Sequence, residues 1–163
     1  MLLRDGTALV QRWCELHSII LPEVEIKAGS KPDFGTCAYY RNNKIFIWPD
    51  ACARIGTAGR QWSYPGYVVD RTPYGVLAHE LGHHVEGAHG AQGGVVAKAW
   101  RQETEDPPLT GYCPNDNEWF AEMFRLFVTN TELLHLLRPG TWSLLAQRWP
   151  YRAEKRHWNE ILS

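Results

Sequence analysis

Residues 72–87 read TPYGVLAHELGHHVEG, and this stretch decides the fold. Thr72 offers a hydroxyl N-cap and Pro73 suits the first helical position, so a helix is predicted to begin here and to run to about Glu86. Apolar residues recur along it at helical spacing, which predicts one buried side. They are Val76, Leu77, Leu81 and Val85.

The same helix carries the pattern HExxH. His79 and His83 lie four residues apart, so their side chains project from one face and can bind one zinc ion. Glu80 is rotated by about 100° from His79, beside the ion and not on it, and is predicted to act as general base. Gly82 is predicted to leave room beside the ion. His84 faces another direction and is predicted to be a surface residue or a supporting neighbour of the ligands.

A catalytic zinc ion needs three protein ligands and one open position, and the favoured third ligand is Glu118. It lies in NEWFAEMFRLF (117–127), which predicts a deeply packed helix where an unpaired acid is costly. Glu122, one turn later, could hydrogen-bond a ligand imidazole and fix its tautomer. The alternatives are that Glu118 completes a helix cap with Asn115 and that Glu122 is a solvent-facing acid.

His89 is the rival third ligand. It follows His79 by ten residues, the offset of the third histidine in the metzincin pattern. That pattern requires glycine at the position of Glu86, because the chain must turn there. The spacing therefore favours Glu118 and leaves His89 as a loop residue.

The rest of the chain predicts an α+β fold in a single domain, 1–163: a short N-terminal antiparallel sheet packed on the HExxH helix, then a mainly helical C-terminal half. Asn42 and Asn43 tolerate the positive φ of a tight hairpin turn. Strand 44–48 is either a core strand or the edge on which an extended substrate pairs. The stretch 56–71 is expected to be irregular. Strands are predicted at 23–29, 35–41 and 44–48, and helices at 6–18, 95–101, from 115 or 116, and at 131–137, 141–149 and 151–161.

Composition narrows the functional classes. The chain has 163 residues and a net charge of −1, which gives no general attraction for nucleic acid or membranes. The basic and aromatic segment 148–158 could bind nucleic acid, but the exposed face of a helix is the simpler interpretation. No secretory signal or membrane span is predicted, so a cytoplasmic location is expected, with virion association or delivery as alternatives. The four cysteines are interpreted as reduced thiols.

The pairing of VLAHELGHHVEG (76–87) with NEWFAEMFRLF (117–127) resembles the zincin metallopeptidases of the gluzincin type, the group that includes the catalytic domain of anthrax lethal factor and related minimal zincins. The resemblance covers roughly residues 35–145. It implies a single zinc ion held by His79, His83 and Glu118. It also implies that a tyrosine shortly before Glu118 assists the oxyanion, and Tyr112 is the nearest match.

Two functions are therefore expected from the sequence. The first is a zinc-dependent peptidase that hydrolyses peptide bonds of a protein or peptide substrate, with Glu80 as general base and Tyr112 as oxyanion donor. The alternative is a non-catalytic zinc-bound structural or interaction module, since a metal can stabilise a small fold outright. A retained Glu80 favours the enzyme, because a purely structural site has no use for a base.

Overall fold

The structure is a computed structural model of the chain and describes residues 3–20, 22–29, 37–49, 63–64, 67–68, 73–89, 95–109, 113 and 115–149. Tyr112 and the predicted helix 151–161 lie outside these ranges, as does the basic and aromatic segment beyond Trp149.

Six helices and five strands occupy the described part of the chain, and they confirm an α+β fold with the sheet ahead of a helical half. The helices are α1 (Leu3–Leu16), α2 (Pro73–His89), α3 (Val95–Thr104), α4 (Asp116–Thr129), α5 (Thr131–Leu137) and α6 (Pro139–Arg148). The strands are β1 (Glu23–Ile26), β2 (Ala38–Arg41), β3 (Lys44–Ile47), β4 (Ser63–Tyr64) and β5 (Tyr67–Val68).

The main sheet has the strand order β1-β3-β2. β2 and β3 form the predicted hairpin, and Asn42 and Asn43 at its turn have φ values of 52° and 59°, as a type I′ turn requires. β1, however, pairs parallel with β3, so the prediction of an antiparallel sheet is wrong for that pair. The chain crosses over between β1 and β2 to place β3 in the centre.

The central position of β3 decides one open question. β3 is bonded on both sides, and Ile45 and Ile47 on it are fully buried. It is therefore a core strand, as one of the two alternatives had it, and the other alternative, an edge for substrate, is wrong. Among the described strands, β2 has only β3 as a neighbour, and it also contacts α2.

The core forms where α2 packs across α4. A β-carbon built on Gly82 would lie 2.7 Å from Cα and 3.2 Å from the carbonyl oxygen of Ala121. Gly82 therefore lets the two helix backbones approach closely. Gly82 was predicted to make room beside the ion; the room that it makes is taken by the backbone of α4. Fully buried side chains of both helices fill the surrounding space, among them Leu77, Leu81, Phe120 and Phe124.

The helical half is tied to the loop after α3 by side chains that satisfy backbone groups. The carboxylate of Asp106 accepts hydrogen bonds from the backbone N–H and the hydroxyl of Thr141, at 2.7 and 3.0 Å. The guanidinium of Arg138 donates to the carbonyls of Pro107 and Pro108. These bonds cap the start of α6 and fix the loop ahead of α4.

Several predicted boundaries shift. α2 continues through Gly87 to His89, three residues beyond the predicted end, and α3 extends to Thr104. Within the stretch expected to be irregular, β4 and β5 pair as a short antiparallel ladder.

The cysteines do not all match the expectation of reduced thiols. Cys14 and Cys113 are buried, reduced thiols, as expected. Cys37, directly ahead of β2, is disulfide-bonded, so that expectation is wrong at this position. Local spacing gave no sign of the bond, because the sequence contains no closely spaced cysteine pair.

Among the described residues, no helix combines the length and the apolar character needed to cross a lipid bilayer.

Candidate metal centre

The residues predicted to bind metal meet in a cleft of about 490 Å³. One wall is β2, another is the HExxH face of α2, and the start of α4 closes a third side. The described residues that line it are Ala38, Tyr39, Tyr40, His79, Glu80, His83, Glu86, Gly87, Asn117 and Glu118.

His79, His83 and Glu118 form a group able to hold a metal ion. Oε2 of Glu118 lies 3.0 Å from Nε2 of His79 and 3.7 Å from Nε2 of His83. A tetrahedral zinc ion with bonds of about 2.0–2.1 Å requires ligand atoms roughly 3.3–3.4 Å apart, a value between these two distances. One ligand atom from each residue lies within 4.8 Å of the others. The residues therefore fit a divalent metal.

Asn115 fixes where α4 begins and so where Glu118 lies. The side chain of Asn115 accepts a hydrogen bond from the backbone N–H of Glu118 at 3.0 Å, which caps the helix. The carboxylate of Glu118 does not complete the alternative reciprocal cap, because its Oε2 is directed at the two histidines. The cap and the metal group thus use different parts of the same residue.

The backbone of α2 argues against His89 as the third ligand. α2 remains helical through residue 89, whose side chain lies outside the described residues. Since a helix rises about 1.5 Å per residue, the backbone at His89 lies roughly 9 Å along the axis beyond His83. The turn that the metzincin spacing needs after His83 is absent from this described helix.

Glu122 is a buried partner of His79, so the alternative of a solvent-facing acid is wrong. Its Oε2 lies 3.2 Å from Nδ1 of His79, and its two oxygens accept hydrogen bonds from Nε and a terminal nitrogen of Arg125 at 2.9 and 2.7 Å. Burial raises the pKa of Glu122, but the guanidinium of Arg125 outweighs that cost, and the pKa falls to about 2. With Nδ1 bonded to Glu122, Nε2 of His79 is left to face Glu118 and a metal.

Arg125 was missed by sequence reasoning. Its side chain is 3% exposed, and it lies three residues after Glu122 on the same helix. The i,i+3 spacing of opposite charges could have indicated the pair. Without Arg125, the buried carboxylate of Glu122 would lose its main compensating charge and keep only His79.

His79 and its carboxylate neighbours hold a proton between them. Burial lowers the pKa of His79, but hydrogen bonds with Glu118 and Glu122 outweigh it and raise the pKa to about 10. Burial raises the pKa of Glu118, but hydrogen bonds with His79 and His83 outweigh it and lower the pKa to about 2. The raised pKa of His79 and the lowered pKa of Glu118 have the same cause, the hydrogen bond between these two residues. A metal ion would displace this proton, because its ligand atoms must be deprotonated.

Glu80 lies beside the metal group and not within it. It is 7% exposed, and it lines the cleft together with the ligands. Burial raises the pKa of Glu80, while the neighbouring histidines and a hydrogen bond from the backbone N–H of Tyr40 oppose the rise. The net pKa is higher than that of an ordinary glutamate, a change in the direction that general-base catalysis near neutral pH requires.

His84 is a supporting neighbour of the site. Its Nε2 lies 2.9 Å from the carbonyl oxygen of Ile20, and its Nδ1 lies 3.0 Å from the hydroxyl of Tyr40. Burial lowers the pKa of His84, against a smaller rise from the bond with Ile20. Sequence reasoning missed Tyr40, because only the tertiary fold brings β2 beside α2.

The described residues thus bring together His79, His83, Glu118 and Glu80, with Glu122 bonded to a ligand imidazole as predicted; Arg125 and Tyr40 are new members of the site. Tyr112, the expected oxyanion donor, lies outside the described residues. Comparison of the chain with protein-family models, with curated proteins and with solved structures found no match.

Proposed function

We propose that this chain is a zincin-like zinc peptidase that hydrolyses peptide bonds in an extended substrate. The observation that carries the proposal is the group His79, His83 and Glu118, with Glu80 beside it in the same cleft. Among the described residues this group has three members, which leaves one position of a tetrahedral ion open. A structural zinc site is closed by a fourth protein ligand, so the three-membered group favours catalysis.

Zinc suits these ligands better than magnesium or calcium, because two of the three donors are imidazole nitrogens. A bound zinc ion would supply Lewis-acid activation of the attacking water and of the scissile carbonyl. Glu122 would keep His79 in the tautomer whose Nε2 faces the metal, and Arg125 would hold Glu122 in place.

Glu80 would act as the base of the reaction. Its carboxylate would take a proton from the attacking water and then deliver it to the leaving amine, so the residue is regenerated in each cycle. Its raised pKa supports both steps, because a carboxylate with an ordinary pKa is a weaker base at neutral pH. Tyr112 stays a prediction as donor to the developing oxyanion.

β2 is the strand beside which the substrate would lie. Ala38, Tyr39 and Tyr40 line the cleft, and β2 lies at the edge of the sheet formed by the described strands, with β3 as its neighbour there. An extended peptide can add to such an edge through main-chain hydrogen bonds, with its side chains directed alternately to either face. This assignment replaces the predicted role of strand 44–48.

The proposal is tested with purified protein loaded with zinc. Metal content is measured by mass spectrometry, and the protein is then incubated with a proteome-derived peptide library whose new termini are identified. We expect about one zinc ion per chain and a reproducible set of cleavages. Glu80→Gln should keep the zinc and lose cleavage by roughly 10²–10⁴-fold, the usual contribution of a general base. The matched control is Glu103→Gln, the same change at an exposed position of α3.

The outcomes separate the candidate functions. One zinc ion per chain with no cleavage by the wild type identifies the non-catalytic zinc-bound module and overturns the peptidase. Equal cleavage by wild type and Glu80→Gln overturns the role of Glu80. Failure to bind zinc at all overturns the proposal from its first step.

A further inference from the structure

Tyr40 contacts α2 at two places that are one helical turn apart. Its backbone N–H donates to the carboxylate of Glu80, and its hydroxyl lies 3.0 Å from Nδ1 of His84. Glu80 and His84 are four residues apart, so they project from the same face of the helix. One residue of the edge strand is thus bonded to two successive turns of the helix that carries the metal ligands.

The strand pairing explains why the N–H of Tyr40 is available to Glu80. In an antiparallel pair, hydrogen-bonded residues alternate with residues whose backbone groups point away from the partner strand. The N–H of Trp48 bonds to the carbonyl of Cys37 at 2.8 Å, which fixes this alternation along β2. The backbone N–H and C=O groups of Tyr39 and Arg41 accordingly point towards β3. The backbone N–H of Tyr40 points away from β3, into the cleft.

The hydroxyl of Tyr40 completes the second contact. The carbonyl of Ile20 can only accept, so Nε2 of His84 carries a proton; in a neutral ring Nδ1 then accepts from the tyrosine hydroxyl. The hydroxyl has a single proton and also donates to Oδ1 of Asn43 at 2.9 Å, so the two acceptors share that proton. The ring of Tyr40 packs edge-on against the ring of His84, with centroids 5.4 Å apart.

We propose that Tyr40 is a positioning residue for Glu80: the bond between its hydroxyl and His84 sets β2 against α2, so that its backbone N–H holds the carboxylate of Glu80 beside the metal group. The inference rests on the proposed role of Glu80 as base. A shift of β2 would leave that carboxylate with other rotamers and lower the fraction of molecules in a reactive geometry.

Kinetics test the proposal with a fluorogenic peptide chosen from the cleaved members of the library. Tyr40→Phe removes the hydroxyl and keeps the ring and the backbone N–H. We expect kcat to fall about 10-fold with KM changed less than about 2-fold, since only orientation of the base is lost. Zinc affinity, measured by chelator competition, should stay unchanged.

The double variant Tyr40→Phe/His84→Ala tests whether the two residues act through one bond. Its kcat should be no lower than that of His84→Ala alone, because both changes remove the same link. Asn43→Gly is the control: it removes the side-chain acceptor that shares the hydroxyl proton with His84, and it tolerates the positive φ at that position. Its kcat should equal that of the wild type. Losses that add in the double variant, or a parallel loss of zinc affinity, overturn the proposal.

Amide hydrogen exchange provides a second measurement that needs no catalysis. In Glu80→Ala and in Tyr40→Phe, the amide at position 40 should exchange about 10-fold faster, the effect of losing one hydrogen bond. The amides of residues 39 and 41, which bond to β3, should keep their rates. An unchanged rate at position 40 refutes the positioning contact even if the chain is a peptidase. A faster rate without any peptide cleavage supports the contact and refutes the proposed function.

Discussion

Gly82 and Ala121 are the point at which the two site helices meet: a β-carbon on Gly82 would lie 2.7 Å from Cα of Ala121. α2 carries His79 and His83, and α4 carries Glu118, so the separation of these helices sets the distances within the metal group. A backbone contact is a firmer spacer than a side chain, because it has no rotamers to adjust.

The first prediction concerns this contact. Gly82→Ala should lower the free energy of unfolding by about 1–3 kcal/mol, because the new methyl group forces the helices apart and overrides the gain in helix propensity. Gly87→Ala on the same helix is the control, since its β-carbon would meet nothing within 4 Å. It should stabilise the protein by roughly 0.5–1 kcal/mol. Urea unfolding of both variants provides the comparison, and equal behaviour would show that the helices can separate without cost.

A second prediction concerns the buried pair Glu122 and Arg125. Arg125→Met should destabilise the protein by about 3–5 kcal/mol, because the buried carboxylate of Glu122 loses its guanidinium partner and keeps only His79. Zinc affinity should fall about 10–100-fold, because that carboxylate holds the imidazole of His79. The double variant Glu122→Met/Arg125→Met should regain much of the stability but not the affinity. Chelator competition and urea unfolding separate the two effects; recovery of affinity in the double variant would contradict the prediction.

A third prediction concerns pH. In the metal-free protein the pKa of His79 is about 10, against 6.5 for a free imidazole, so between these values the folded state holds more protons than the unfolded state. Stability should therefore fall as the pH rises through this window, and the contribution is complete below pH 6.5. Unfolding free energies of chelator-treated protein at about pH 7 and 9.5 should differ by at least about 1 kcal/mol, since one pKa unit corresponds to about 1.4 kcal/mol. His79→Gln should abolish the difference.

At acid pH the stability changes with pH in the opposite direction. The pKa values of Glu118 and Glu122 are about 2, below the ordinary 4.5, so their contribution is present above pH 4.5 and is lost as the pH falls towards 2. The same cluster should release protons when zinc binds at neutral pH, which calorimetry in buffers of different ionisation enthalpy detects. Zinc binding without proton release would show that His79 is neutral in the metal-free protein.

A fourth prediction separates the helix cap from the metal group. Asn115→Ala should cost about 1 kcal/mol of stability, because the backbone N–H of Glu118 loses its acceptor. Asn115→Asp should retain the cap. Glu118→Gln should leave the cap intact and weaken zinc binding strongly. Unfolding of both variants is also measured without metal. If Glu118→Gln then loses more stability than Asn115→Ala, the extra loss comes from the missing bond to His79 and not from the helix cap.

The sequence predicted those features that depend on local spacing. The pair His79 and His83 follows from an i,i+4 interval on one helix, and the start of α4 follows from Asn115. The proximity of Glu118 to the histidines was inferred from chemistry, since a catalytic zinc ion needs a third ligand and a buried acid needs a partner.

Features that depend on tertiary pairing escaped prediction. The central place of β3 depends on a crossover between β1 and β2, which local hydrophobic patterns do not encode. The contact of Tyr40 with α2 depends in turn on which edge of that sheet meets the helix. Gly82 was predicted to leave room for the ion, whereas it leaves room for the backbone of Ala121. The position of a glycine in the sequence does not indicate which neighbouring group comes close to it.

The burial of α2 has a consequence for how the chain tolerates change. From Gly75 through Glu86 every residue is buried or half-buried, with α4, β2 and the core covering successive sides of the helix. A typical surface helix shows mutational tolerance that rises and falls every three to four residues. Saturation mutagenesis here should instead give an unbroken window of intolerance, so that in the proposed peptidase new cleavage preferences would arise by variation in β2.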